Sequence, residues 1–185
     1  MSGPADFGHE MRFGFSDLSF EPFRNLHQTR GFQCGDEALD EFIRSQEVRV
    51  YERQSLGRTT LVYVEGRMVA FYTISMDGLR FQYMTRRKPL REPNIIEIEV
   101  IPALKIVRLA VHLDYQNHGI GRLLLDHLVG FALRQEAACR LIIVNARPES
   151  IPFYEKYGFR LSDHRKIKGR REKLMFFDLD YVRNL

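Results

Sequence analysis

The amino-acid sequence predicts a mixed α/β sheet of six or seven strands flanked by helices, and three observations carry that prediction. Residues 104–111 form an apolar run with strand character and residues 122–129 have helical spacing, so a strand feeds a helix through Gln116-Asn117-His118-Gly119-Ile120-Gly121. A second apolar run, Leu141-Ile142-Ile143-Val144, follows that helix, which makes a strand–helix–strand crossover, right-handed by the usual chirality of such units. Upstream, the β-rich runs 59–64 and 68–75 are separated by Glu65-Gly66-Arg67, a hairpin signal. A meander therefore precedes the crossover, and residues 174–179 read as a closing strand.

In chain order, residues 1–12 contain Gly3, Pro4 and Gly8 and read as a loose lead-in. Residues 13–20 alternate well enough for an edge strand. Phe32-Gln33-Cys34-Gly35 makes a turn before Asp36, an N-cap residue, and Leu39, Phe42, Ile43 and Val50 then mark one face of a helix running to about Arg53. Residues 78–102 look irregular. They carry Arg86, Arg87 and Lys88, then Glu97 and Glu99, whose carboxylates would share one face of an extended segment; a solvated strand face is the plainer reading. After the second crossover strand come Asn145-Ala146 and a short helix that includes Tyr154. The cluster Arg165, Lys166, Lys168, Arg170, Arg171 and Lys173 reads as a solvated hairpin tip or, joined with residues 86–88, as a basic rim for an acidic substrate.

With 185 residues, 44% of them hydrophobic and 28% charged, the chain fits one domain, assigned to residues 13–185. Its 28 Lys and Arg against 24 Asp and Glu give +4, an excess that suits phosphate-bearing ligands without by itself indicating nucleic acid. No apolar run approaches the roughly 18 to 20 residues that span a bilayer, and the polar N-terminus lacks a signal-peptide core, so a cytoplasmic protein without a membrane partner is expected. Cys34 and Cys139 lie far apart with no metal-binding spacing, which points to reduced thiols and to no metal site.

The glycine turn carries the chemistry. A helix N-terminus presents unsatisfied N–H groups and a partial positive charge, and glycine lets an anion approach that backbone closely. The dinucleotide fingerprint fails for want of a third glycine, and the phosphate-loop pattern fails because no Gly-Lys-Ser/Thr follows. What remains, Q-x-x-G-x-G between strand and helix, resembles the acyl-coenzyme A loop of the GNAT N-acetyltransferase superfamily. The downstream block is similar too: Asn145-Ala146 at a strand end, then Phe153-Tyr154 and Gly158-Phe159.

That resemblance implies acetyl-CoA as cosubstrate and acetyl transfer to a primary amine by direct attack in a ternary complex. It implies a splayed pair of strands with the backbone of Leu109, Ala110 and Val111 holding pantetheine. Gln116, Asn117, His118, Gly119, Ile120, Gly121 and Arg122 would hold the pyrophosphate, with Arg122 adding a charge, and Asn145 would bind the coenzyme or fix the following helix. A backbone N–H near Val111 would stabilise the oxyanion, and Tyr154 falls at the position of the general acid, with Tyr157 as the fallback donor. Glu97, Glu99, His112 and a water chain all stay open as the base.

Acceptors in this superfamily range from small amines to proteins and aminoacyl-tRNA. Phe32-Gln33-Cys34-Gly35 with Leu39-Asp40-Glu41-Phe42-Ile43 resembles the opening of GNAT toxins that acetylate aminoacyl-tRNA and pair with antitoxins. That reading adds tRNA and an antitoxin as partners, and a homodimer is compatible with it; the longer stretch with Glu97 and Glu99 departs from the toxin pattern. A third reading, of a different class, is an acyl-CoA-binding module without catalysis, against which an intact Tyr154 argues.

Overall fold

A computed structural model describes residues 13–80, 83, 99–162 and 171–183 of the chain. Its strands are β1 (Ser19–Pro22), β2 (Arg58–Val64), β3 (Arg67–Arg80), β4 (Val100–Val111), β5 (Leu141–Ala146), β6 (Arg160–Leu161) and β7 (Lys173–Asp178), in the spatial order β1-β2-β3-β4-β5-β7-β6. The helices are α1 (Glu37–Arg44), α2 (Gln46–Arg53), α3 (Ile120–Arg134) and α4 (Ile151–Tyr157), with a single turn at Asp180–Arg183. This is the mixed sheet the sequence predicts, with seven strands. Contacts divide the described chain into two compact units, with boundaries after Ser75, Lys105 and Leu128.

The first unit holds β1, β2, most of β3 and the C-terminal half of β4. Glu65 and Gly66 take φ of 48° and 79°, both left-handed, so the β2–β3 connection has the two-residue form whose twist matches antiparallel strands. The expected strand over 13–20 is displaced: Phe15–Asp17 is a single helical turn, held by Gly14 N–H donating to Asp17 Oδ2 at 2.8 Å, and the strand starts at Ser19. The expected long helix is two helices. Ser45, at φ −100° and ψ −178°, ends α1 and caps α2 by accepting from the Glu47 N–H at 3.1 Å, and the break resets the apolar face so that Val48 is buried while Val50 is only partly covered. Phe32, Phe42, Ile43, Val48, Leu61, Phe71 and Ala110 form the core here.

The second unit holds the start of β4 with β5, β7 and β6. Its core is Leu79, Ile101, Ala103, Leu141, Ile143 and Phe176. β5 pairs with β7 antiparallel from Leu141↔Asp178 to Ala146↔Lys173. β3 runs to Arg80 and β4 begins at Val100, so both enter the stretch expected to be irregular. Residues 86–88, Glu97 and 165–170 lie outside the described residues; Glu99 is described and exposed. Among the described residues, no helix is long and apolar enough to cross a membrane and no group of His, Cys, Asp or Glu is arranged to hold a metal ion.

Candidate functional site

In the first unit, β4 delivers the chain to the glycine turn. The His112 N–H donates to Val69 O at 2.8 Å, and because successive strand N–H groups alternate in direction, the Val111 N–H points to the opposite edge of β4. The His112 ring is buried, and its Nδ1 accepts the Asp114 N–H at 3.2 Å, capping a turn at Leu113–Tyr115. With Nδ1 accepting, the neutral ring carries its proton on Nε2.

The turn then reverses hand. Gln116 is extended at φ −67° and ψ 155°, Asn117 takes φ 62°, and Gly119 takes φ 86°. Asparagine and glycine are the residues that adopt this conformation most readily. α3 starts at Ile120, whose side chain is buried, and its first bond is from the Leu123 N–H to Gly119 O at 3.2 Å. The backbone N–H groups of Asn117, His118, Gly119, Ile120 and Gly121 donate to no backbone carbonyl among the described residues. A run of amides with no backbone acceptor among the described residues, at the positive end of a 15-residue helix, is the chemistry an anion such as a pyrophosphate requires. In the same turn His118 Nδ1 is buried with no hydrogen-bond partner among the described residues. These residues therefore fit the diphosphate of an acyl-coenzyme A. Arg122 adds a guanidinium in the first turn of α3, 3.8 Å from Asp126 on the next turn.

The Gln116 side chain is engaged within the protein. Its Nε2 donates to Cys34 O at 2.8 Å and to Val111 O at 3.0 Å, so both amide hydrogens go to protein carbonyls. Leu109 and Val111 are partly buried and Ala110 is buried against the core.

The second unit carries Asn145, Tyr154 and Tyr157. Asn145 pairs with Leu174 in the sheet and is exposed, and its side chain makes no hydrogen bond to α4 among the described residues. Tyr154 is buried on α4, its ring meeting Phe153 at 5.0 Å and Phe159 at 5.2 Å. Burial pushes its phenol well above the ordinary tyrosine range, because the phenolate would lose its hydration. The phenol stays protonated at neutral pH, the state a proton donor needs. Tyr157 is partly exposed and packs on Phe159 and Phe177.

Sequence reasoning missed the strap before β1. The Phe13 ring lies 5.8 Å from Tyr115 and 6.3 Å from His118, and with Asp17, Glu65, Arg67, Asp114 and Tyr115 it lines a cavity of about 530 Å³ beside the turn. Arg67 reaches Asp114 at 2.6 Å and stands over the Tyr115 ring. No local pattern marks Phe13, because its partners are about a hundred residues away in sequence.

The family model described as an acetyltransferase (GNAT) domain matches residues 55–161. A tRNA-acetylating toxin of Mycobacterium tuberculosis (strain ATCC 25618 / H37Rv) is 25% identical over 134 residues, 71% of this chain and 77% of that protein. Among solved structures, a tyrosine-to-phenylalanine mutant of KacT matches with a TM-score of 0.74 and 20% identity, covering 91% of this chain and 98% of that one. AtaT complexed with acetyl-methionyl-tRNAfMet matches at 0.71 and 22% identity over the same shares of the two chains.

Proposed function

The chain belongs to the GNAT acetyltransferases, and from that premise we propose that it transfers the acetyl group of acetyl-CoA to the primary amine of an aminoacyl-tRNA. The observation that carries the transfer is the row of free amides from Asn117 to Gly121 at the start of α3. The acceptor rests on the Mycobacterium relative, which is named for acetylating tRNA, and on AtaT, which is described in complex with an acetylated aminoacyl-tRNA. Residues 13–185 then act as one catalytic domain, working in the cytoplasm where charged tRNA is made.

In this reading, the Asn117–Gly121 amides and Arg122 hold the pyrophosphate, the Leu109–Val111 backbone orders pantetheine, and the exposed Asn145 amide takes a polar group of the coenzyme. The Val111 N–H, turned away from β3, donates to the carbonyl oxygen as the amine attacks, where charge develops. The nitrogen–carbon bond forms and the carbon–sulfur bond breaks. Tyr154 gives its proton to the departing thiolate, and the proton released by the amine returns to the phenolate through solvent. A phenol so far above its ordinary range would be a poor donor to a thiolate in water, but a dry site raises the thiol as well, which narrows the gap. With its Nδ1 accepting the Asp114 N–H and its Nε2 carrying the ring proton, His112 is not set to take the amine proton, which leaves through water.

An antitoxin partner belongs to the same reading, since AtaT is also described bound to the C-terminus of the antitoxin AtaR. The test is expression in a bacterium of the native chain and of Tyr154→Phe, with acetylation of charged tRNA and growth both followed. The expected result is N-acetylated aminoacyl-tRNA and arrested growth for the native chain only. Normal growth with unmodified aminoacyl-tRNA at high native expression would overturn the acceptor and leave a small-molecule or protein amine in its place.

A further inference from the structure

The stretch Phe32-Gln33-Cys34-Gly35 with Leu39-Asp40-Glu41-Phe42-Ile43 takes no part in the transfer described above, yet it meets the chain on either side of the coenzyme loop's entrance at several points. Gln116 Nε2 bridges Cys34 O and Val111 O at 2.8 and 3.0 Å. The Leu113 N–H donates to Gln33 O at 2.9 Å. Gly35, at φ +84°, approaches so closely that a Cβ would stand 3.0 Å from Leu113 Cδ2, so the glycine serves both the turn and the contact. The buried Phe32 ring meets the His112 ring edge-on at 5.7 Å and Phe71 at 5.3 Å.

The turn that makes these contacts is itself fixed from behind. The Cys34 N–H donates to Asp40 Oδ1 at 2.8 Å, and Asp40 is only 7% exposed. Burying a carboxylate to that degree is costly unless it is hydrogen-bonded, so the Cys34 N–H bond offsets part of that cost. Asp36 Oδ1 caps α1 by accepting the Leu39 N–H at 3.1 Å, and Phe42 and Ile43, on the same helix as Asp40, are anchored in the core. Cys34 contributes through its backbone. Its thiol is pushed up to about 12 by burial, with the Asp40 carboxylate adding to the shift, so it is no nucleophile at neutral pH.

We propose that this N-terminal motif is a clamp that positions the coenzyme loop, with Gln116 and Asp40 as its positioning residues. The proposal rests on the reading that the loop holds the coenzyme's pyrophosphate. Amides make an anion site only while they converge, and among the described residues no backbone bond is donated by Asn117 to Gly121 that would hold them so. Gln116 is the last residue before the reversal, and it ties the loop's entrance to the end of β4 and to a turn 82 residues earlier. Asp40 fixes that turn. A chain with the loop sequence and no clamp would keep its donors and lose their aim.

The test is calorimetric titration of acetyl-CoA into four purified full-length variants, with kcat, the two KM values and thermal midpoints measured alongside. Gln116→Met keeps the length of the side chain and removes both donors; it should weaken acetyl-CoA binding about tenfold and raise the acetyl-CoA KM in parallel, while the acceptor KM holds and the midpoint stays near native. Asp40→Ala should reproduce that pattern, and Asp40→Asn, which keeps an oxygen for the Cys34 N–H, should restore most of the affinity. Gly121→Val reports on the loop itself. Native affinity in Gln116→Met with binding lost in Gly121→Val would overturn the clamp and leave the loop assignment standing. Native affinity in both would overturn the loop assignment and the clamp with it. Should Asp40→Ala fail to fold, Gln116→Met decides alone.

Discussion

Gly119 and Gly158 use one conformational device for opposite ends. Both take positive φ, 86° and 116°, at a helix terminus. At Gly119 the reversal opens α3 and leaves the amides from Asn117 to Gly121 without backbone partners. At Gly158 it closes α4: the Gly158 N–H donates to Glu155 O at 3.0 Å, and the Phe159 N–H returns to Tyr154 O at 2.9 Å. The first terminus keeps its hydrogen-bonding capacity for a ligand, and the second spends its own on holding a dry aromatic cluster around Tyr154. Affinity for the coenzyme should therefore be lost at the first, and stability at the second.

The largest effect sharpens the second half of that contrast. Tyr154→Phe keeps the ring and its packing on Phe153 and Phe159, and steady-state assays should show turnover reduced by roughly 10²- to 10⁴-fold, the range for a positioned acid, with coenzyme affinity unchanged. Full activity there, with Tyr157→Phe inactive, would move the role three residues along. Next, Gly119→Val and Gly121→Val should each weaken acetyl-CoA binding by about tenfold or more, about 1.4 kcal/mol, in a folded protein. At Gly119 the left-handed φ adds backbone strain for a β-branched residue.

Gly158→Ala should behave oppositely. A side chain at φ 116° is strained, and its Cβ would stand 3.3 Å from Phe177 Cε2, so denaturant titration should show a loss of about 1–3 kcal/mol, with coenzyme affinity per folded molecule retained. A loss of affinity without a loss of stability would erase the distinction between the two termini. The smallest effect is in pH. The folded-state phenol of Tyr154 lies above its unfolded value, so its contribution to stability is complete below about pH 10 and is lost as pH climbs from there toward the folded value. Thermal midpoints should accordingly fall less steeply above pH 10 in Tyr154→Phe than in the native chain, with a residual fall from Tyr72 and Tyr63, whose phenols burial also raises.

What the sequence made legible follows the range of the interactions involved. The glycine turn and the Glu65-Gly66 hairpin are local, set by φ preferences and spacing within a few residues, and the structure places them where the pattern does, except that α3 takes in Ile120 and Gly121, which the pattern assigns to the turn. The break at Ser45 was also local, written in a serine followed two residues later by Glu47, but the apolar stripe from Leu39 to Val50 suggested continuity across it. β4 extends back to Val100 because pairing with neighbouring strands overrides the weak strand character and the proline at 102. The bridge from Gln116 to Cys34 and the Phe13 contact with His118 join residues far apart in sequence, and no periodicity or motif spacing carries that information.

The central claim is that the backbone amides at the start of α3 receive the pyrophosphate of acetyl-CoA. Amide ¹H–¹⁵N spectra of the labelled native chain, recorded as acetyl-CoA is added, test it most directly, since an N–H that gains an anionic acceptor moves to lower field. Saturable downfield shifts of the Asn117 to Gly121 amides are expected, with the Gly158 and Phe159 amides, already bonded to carbonyls of α4, little affected in the proton dimension. Saturable binding that leaves the five loop amides unmoved would contradict it.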